Sequence, residues 1–444
     1  MGPGIKNTAC RHNSNNMQKW LIILSLLASC QPKPVDHSLI QEGLYTGTFV
    51  FGNFSMDFDV ELKKDSLDWI AFFTCLEQNA YQIPFRAVKV EGDSVHFQLQ
   101  SDQYTYQFDG RFEADGQGIK GSLRVDTVAG PFSLTKAGGL ALETIKSEEV
   151  SFESNGLLLK GTIWKPVKSN GHGLYFITSS GGGDRGGSRA EAIYFARQGY
   201  TTFHFDKRGT GESEGSWPST SIETLASDDI NGIRFFAEKM AIPLSHIGIK
   251  GSSQGGAKVP YILNRIHELE YGIAVSCPGS TLLESDLNFW KNSNRENIAP
   301  EFLEQAAWLQ KSAYEWLAGL VSIEELDNRL KTHENAPWAE YVWAPDWEAK
   351  TDSALLFTPV PSFEQVQQPV LIVQGLSDGV IPSNSYVIIE QALAKAGNQG
   401  FNIVKIPNAS HSMYDEGETD FPYFAKLEPS YLPTLTNWIN RQTK

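Results

Sequence analysis

Between residues 54 and 62 apolar and polar side chains alternate without a fault. Phe54, Met56, Phe58, Val60 and Leu62 fall on one face, and Ser55, Asp57, Asp59 and Glu61 on the other. A period of two marks a half-buried strand. The same period returns in Ser94–Gln100 and in Tyr104–Phe112, with turn residues at 92–94 and 114–118. Residues 38–136 therefore predict a small antiparallel β-barrel or sandwich with one buried face. Its interior is expected to be a packed core, the domain serving as a spacer or docking module; a ligand chamber is the alternative.

The period then changes. Residues 137–146 read as a linker, followed by a leading pair of strands at 149–154 and 157–164. Short, continuously apolar runs at 173–180, 201–209, 246–253, 271–277, 368–375 and 401–407 alternate with amphipathic segments at 188–200, 224–240, 256–269 and 383–397. Strands with no polar face belong to a mostly parallel sheet covered on both sides. Residues 147–442 thus predict an eight-stranded α/β domain. The rhythm breaks over about 279–365, where helical spacing at 300–330 accompanies Trp290, Trp308, Trp316, Trp338, Trp343 and Trp347. An interval of that length exceeds what a crossover needs and predicts a helical cap. Its tryptophans are expected to form the cap's own core, with the lining of an acyl pocket as the alternative.

Charge and cysteine content narrow the function classes. The formal charge of −15 argues against non-specific binding to nucleic acid or to anionic membrane surfaces. The stretch 17–30, MQKWLIILSLLASC, holds a lysine, an apolar run too short to span a bilayer, and small residues closing on Cys30. Leu27-Ala28-Ser29-Cys30 resembles the lipobox of bacterial lipoproteins. That resemblance implies removal of residues 1–29, lipid on Cys30, and anchorage in the bacterial cell envelope. Cleavage there removes Lys6, Arg11 and Lys19 and no acidic residue, leaving the remainder more acidic still. Cys75 and Cys277 fall in different predicted domains, so no disulfide is expected between them. No zinc-like cysteine or histidine spacing is present, and no G-K-[ST] follows the glycines at 181–183 or 209–215. Neither a metal nor a cofactor is expected.

The candidate chemistry begins with Gly251-Ser252-Ser253-Gln254-Gly255, a G-x-S-x-G at the end of an apolar run and ahead of a helical segment. Asp378 follows the next-to-last run and His411 the last. A serine hydroxyl needs a base to take its proton, a histidine titrates in the useful range, and a carboxylate holds the imidazole in the required tautomer. Ser, Asp and His in this order, each just after a strand, resemble the triad of the α/β-hydrolase superfamily, and the likeness covers about residues 147–442. Glu284 or Asp286, after the preceding strand, is the alternative acid that some relatives would suggest.

The resemblance implies Ser253 as nucleophile, Asp378 as orienting acid and His411 as base. It also implies an oxyanion hole from the N–H of Gln254 and a second donor in Ser179–Gly187. That loop is similar to the G-S-G-x-x-D-R loop of a bacterial esterase group, with Ser179 replacing the first glycine; Gly181 is favoured and Gly182 is the alternative. Asp184 and Arg185 are expected to orient the loop or to contact substrate. Asp206-Lys207-Arg208-Gly209 fits the D-x-R-G of many such hydrolases, with Asp206 and Arg208 expected to pair as a brace. The N-terminal part resembles lipocalin-like β domains that precede hydrolase domains in some bacterial lipoproteins. The expectation is a membrane-anchored serine hydrolase acting on small-molecule carboxylic esters, with no nucleic-acid partner. A thioesterase or an S9-like peptidase is the alternative within the class; a ligand-binding lipoprotein with an inactive hydrolase part is the alternative outside it. Every candidate catalytic residue lies beyond residue 143, so the downstream part is expected to work alone.

Overall fold

The computed structural model describes residues 42–443 apart from 67, 102, 138–144, 344, 345, 347 and 350. Cys30 and the signal-like stretch, most of the expected linker, and Trp347 lie outside the described residues.

Nine strands make the first sheet among the described residues: β1 (Gly43–Phe51), β2 (Phe54–Asp65), β3 (Asp68–Cys75), β4 (Ala80–Pro84), β5 (Ala87–Glu91), β6 (Ser94–Gln100), β7 (Thr105–Phe112), β8 (Gly118–Val125) and β9 (Val128–Lys136). Their order is β4-β3-β2-β1-β9-β8-β7-β6-β5, with every ladder antiparallel. It is one curled layer, neither a two-sheet sandwich nor a barrel closed by a β4–β5 ladder. At the seam the connecting segment does the bridging: Phe85 N donates to Ala71 O at 3.0 Å and Arg86 N to Gln98 O at 2.7 Å. The alternation in β2 turns Phe54, Met56, Phe58, Val60 and Leu62 inward, all five buried. Phe73, Phe85, Phe97, Phe108 and Phe132 meet them there, ring against ring. Aromatic side chains fill the concave side, so it is a core.

The second sheet holds eight strands among the described residues: β10 (Ile145–Ser154), β11 (Leu157–Pro166), β12 (Gly173–Phe176), β13 (Thr201–Phe205), β14 (Ile247–Ser252), β15 (Tyr271–Val275), β16 (Val370–Gly375) and β17 (Phe401–Ile406). β10 starts inside the expected linker. Asn155 and Gly156, at φ of 51° and 77°, turn β10 into β11 as a two-residue hairpin loop. The order is β10-β11-β13-β12-β14-β15-β16-β17; β10, β11 and β13 pair antiparallel and the remaining ladders are parallel. This is the α/β-hydrolase fold. Helices α1 (Arg189–Arg197), α2 (Ile222–Met240) and α3 (Gln254–Leu263) follow β12, β13 and β14 in turn. Separate apolar clusters on the two faces of the sheet explain why its strands carry no polar face. From β12 the chain goes first to β13 on one side and then to β14 on the other. Ligands gather at such a reversal, where the loops leaving neighbouring strands diverge.

The cap is built from α4 (Leu282–Asn294), α5 (Pro300–Leu317) and α6 (Ile323–Thr332). Trp290 and Trp338 are buried in its small core with Ile298, Leu309 and Val342, whereas Trp308 and Trp343 are exposed. α7 (Ser385–Lys395) and α8 (Tyr431–Gln442) complete the fold.

The two sheets are joined by a contact that the chain makes beyond β17. Phe421, between β17 and α8, is fully buried in the core of the first sheet, its ring 4.9 Å from that of Phe49 and 5.2 Å from that of Phe54. Cys75 and Cys277 are both buried and free, one in each part.

Candidate active site

β14 ends at Ser252, and α3 begins at Gln254, so one residue makes the whole turn from strand to helix. That residue is Ser253, at φ 55° and ψ −123°, a conformation a non-glycine residue holds only where its surroundings enforce it. The two flanking glycines show how. A Cβ on Gly251 would lie 2.3 Å from Gly255 O, and one on Gly255 would lie 2.9 Å from Thr178 O. With no side chain at either place, helix and strand close tightly on each other and the serine stands at the apex.

Asp378 follows β16 and His411 follows β17. Both carboxylate oxygens of Asp378 lie against His411 Nδ1, at 3.1 and 3.0 Å. Asp378 is otherwise saturated: Oδ1 accepts from Val380 N at 2.8 Å and Ile381 N at 3.0 Å, and Oδ2 from Gln374 Nε2 at 3.2 Å. Its side chain is 1% exposed and that of His411 23%. The carboxylate is thus fixed from behind, and one imidazole edge stays reachable. Ser276 Oγ donates to His411 O at 2.7 Å, tying the His411 backbone to the end of β15. Ser253 and His411 line one cavity of about 370 Å³ with Ser179, Ser180, Lys207 and Lys250. Among the described residues no hydrogen bond joins Ser253 Oγ to His411, as is common before substrate binds.

The N–H of Gln254, at the start of α3, has no protein partner among the described residues and is free to donate. Opposite it, the loop after β12 is held by buried charge. Thr178 N donates to Asp229 Oδ1 at 3.1 Å, and Lys258 Nζ donates to Thr178 Oγ1 at 2.7 Å and Asp229 Oδ2 at 2.6 Å. Burial pushes the Asp229 carboxyl upward while the Lys258 ammonium opposes it. Lys207 Nζ donates to Ser179 O at 2.9 Å and to Gly181 O at 2.6 Å, and sits over the Trp217 ring. Burial, helped by the charge of Lys258, lowers the Lys207 ammonium to about 8. Gly181 has φ 75°, and with its carbonyl held by Lys207 its N–H has no protein partner among the described residues.

The expected Asp206–Arg208 pair does not form. Asp206 pairs with Arg185 and also accepts from Arg185 N at 2.8 Å and Glu212 N at 2.9 Å. Arg208 instead makes a two-pronged contact to Asp228, at 2.6 and 2.8 Å. Two residues apart at a strand end, Asp206 and Arg208 each face a different neighbouring element. Arg185 orients the loop: its guanidinium also bonds Thr162, Glu149 and Glu212. Asp184 accepts from Gly186 N at 2.7 Å, starting the turn into α1. His204 lies beneath, lowered to about 3 by burial, taking Trp164 Nε1–H on Nε2 and facing Arg185 O with Nδ1. It is a neutral structural histidine.

Other features carried no signal readable along the chain. From α4 of the cap, Asn288 and Asn292 donate to Val380 O and Gly379 O at 3.0 and 2.7 Å, gripping the loop of Asp378. Glu284 and Asp286, the alternative acids, sit on that same helix; the carboxylate on His411 is that of Asp378.

A sequence model of the family described as serine aminopeptidase, S33, matches residues 176–418. Two proteins of Escherichia coli, each described as an uncharacterized 31.7 kDa protein in the traX-finO intergenic region, are 27% identical over 210 residues and 26% over 208, covering 45% of this chain and 70% of theirs. Among solved structures, an esterase of Pyrococcus furiosus aligns with TM-score 0.46 and 13% identity over 69% of this chain and 96% of that one. A proline iminopeptidase of Mycobacterium smegmatis aligns with TM-score 0.44 and 14% identity over 67% and 99%.

Proposed function

Since the chain belongs to the serine aminopeptidase S33 family and is a serine hydrolase of the α/β fold, we propose that it cleaves carboxylic esters through an acyl-enzyme on Ser253. The observation that carries this reading is His411 Nδ1 held between both oxygens of Asp378 at the cavity where Ser253 stands on its strained turn. His411 takes the proton of Ser253 as Oγ attacks the ester carbonyl. The oxyanion is received by the N–H groups of Gln254 and Gly181. His411 returns the proton to the leaving alkoxide, then activates the water that releases the acid.

An ester, rather than a peptide with a free amino end, suits the charges nearest Ser253. The cavity presents Lys207, Lys250 and Arg185, while the carboxylate of Glu191 is occupied by Lys250 at 2.7 Å and Tyr431 at 3.0 Å. Against those three cations the cavity lining sets two carboxylates, Glu191 and Asp184, and Asp184 already accepts from Gly186 N, so the lining is cationic on balance. Lipid on Cys30 would tether the enzyme in a bacterial envelope. Cys30→Ser should release it from the membrane fraction, and unchanged fractionation would refute the tether.

The catalytic test pairs a fluorophosphonate probe with a panel of p-nitrophenyl esters, thioesters and aminoacyl p-nitroanilides. Ser253→Ala should lose labelling, and Ser253→Ala or His411→Ala should each cost on the order of 10⁶-fold in kcat. Asp378→Asn should cost about 10⁴-fold, because the nucleophile and base remain. Ser252→Ala, whose hydroxyl meets Lys250 Nζ at 2.8 Å, should retain labelling. Turnover of the anilides in preference to every ester overturns the ester reading. Labelling that survives Ser253→Ala overturns the nucleophile.

A further inference from the structure

The loop that carries His411 is long and does not end at the active site. After Met413, at φ 62°, the chain leaves as one side of a narrow neck and returns as the other. Asp415 N donates to Lys426 O at 2.9 Å and Glu428 N to Met413 O at 2.8 Å, and Tyr414 bridges Leu427. Beyond the neck, the tip enters the open end of the first sheet. Phe421 packs on Phe49 and Phe54, and Phe424 stacks on Tyr106 with ring centres 4.6 Å apart. Tyr106 Oη donates to Tyr423 O at 2.9 Å, Asn53 N to Asp420 at 2.7 Å, and Lys426 Nζ to Ser55 O at 3.0 Å. Loops of this kind are ordinarily fixed by their own domain. Here the tip is fixed by another.

The same sheet reaches the opposite wall of the site. Asn79, in the left-handed conformation after β3, donates from Nδ2 to Gly186 O at 2.9 Å and Gly187 O at 3.2 Å, and accepts from Ala190 N at 3.0 Å. Those three groups form the turn that begins one residue after Arg185, where the loop bearing Gly181 runs into α1. One rigid layer of nine strands therefore holds both the loop of the base and the loop facing Gln254. The sheet residues that do the gripping do not line the cavity, so they act on distance and angle and not by touching substrate.

We propose that the N-terminal sheet is a positioning part of the active site, fixing the His411 loop through the 420–427 tip and the Gly181 loop through Asn79. The inference rests on the serine-hydrolase reading given above. A misplacement of about 1 Å between reacting groups costs about 100-fold in rate without altering how substrate is held. Loss of either grip should therefore lower kcat and leave KM unchanged.

The test uses the full chain. Asn79→Gly keeps the backbone conformation and removes all three side-chain bonds; Phe424→Ala removes the stack on Tyr106. Each should lower kcat for a small activated ester by about 10- to 100-fold, with KM within about twofold of wild type, while thermal melts show the protein folded at the assay temperature. Phe424→Tyr, which keeps the ring, should restore kcat. Tyr106→Phe loses a single hydroxyl without loss of packing, and should give a smaller drop of the same kind. Arg197→Ala removes the Arg197–Asp59 contact, 3.9 Å long and at the same interface but on neither loop, and should leave kcat unchanged. If Asn79→Gly, Phe424→Ala and Tyr106→Phe are folded and turn over like wild type, or if Arg197→Ala falls as far as they do, the positioning role is wrong. A wild-type protein that the fluorophosphonate does not label fails earlier, and overturns the serine-hydrolase reading together with this one.

Discussion

Replacing Lys258 by methionine removes the ammonium from a pair in which neither side chain has any solvent exposure. The methionine fills nearly the same space, so the loss is electrostatic. Asp229 is left with Thr178 N at 3.1 Å and Thr178 Oγ1 at 3.3 Å. Breaking a buried pair from one side costs about 3–5 kcal/mol, because the surviving charge is neither hydrated nor neutralised. At roughly 2–4 °C per kcal/mol for a domain of this size, the melting point near pH 8 should fall by about 6–20 °C. The loss should also depend on pH, with a definite sign. Burial already raises the Asp229 carboxyl in the folded protein, and removing Lys258, the chief opposing influence, raises it further. A group whose folded pKa exceeds its unfolded one holds a proton that the unfolded chain has released, so stability falls as pH rises between the two values. The variant's deficit should be smaller at pH 5 than at pH 8. Adding Asp229→Asn discharges the site while its amide oxygen still accepts from Thr178 N, and should bring stability back to within about 1–2 kcal/mol of wild type. Urea denaturation followed by circular dichroism at the two pH values measures all of this. If Lys258→Met lies within about 1 kcal/mol of wild type at pH 8, or loses as much at pH 5, the buried-charge reasoning is refuted.

Lys207, lowered to about 8 by burial, clamps Ser179 O and Gly181 O best when charged, so kcat should decline as pH rises through that value; Lys207→Arg should move the decline to higher pH in a kcat–pH profile. Gly251→Ala should prevent the elbow from forming, since its Cβ would sit 2.4 Å from Gly255 C and backbone cannot yield as a side chain does; probe labelling and circular dichroism should both be lost. Burial pushes the Cys75 thiol up to about 12 and that of Cys277 higher still, so neither should react with a maleimide at pH 7.5 until the protein is unfolded, and mass spectrometry counts the adducts.

What the sequence conveys is set by how local the physics is. The inward face of β2 follows from alternation alone, because one pleat decides one side chain at a time. The apolar runs 246–253 and 368–375 give their strands to within a few residues, since a strand covered on both faces tolerates little else. Ser253, Asp378 and His411 stand out because each follows such a run. Partners chosen across space are another matter. Asp206 binds Arg185 and Arg208 binds Asp228, partners about twenty residues away in opposite directions, and spacing within the motif suggests neither. Lys207 looks like a variable position, and only the fold brings it against the carbonyls of Ser179 and Gly181. The tip of the His411 loop did leave a trace: Asp420-Phe421-Pro422-Tyr423-Phe424 places three aromatic rings in a stretch without period, more apolar surface than a solvated loop accommodates.

The plug formed by Phe421 sets an order of events during synthesis. Asn53 and Asp420, joined by one hydrogen bond, are 367 positions apart. The first sheet leaves the ribosome ahead of the second, and Phe49 and Phe54 remain uncovered until the segment that bears Phe421 has followed. Throughout that interval the nascent protein carries an aromatic mouth that invites chaperones and self-association. On the mechanism proposed above, His411 acquires its final support in the same late step that seals the mouth, so a chain interrupted shortly before residue 420 should be both sticky and inert.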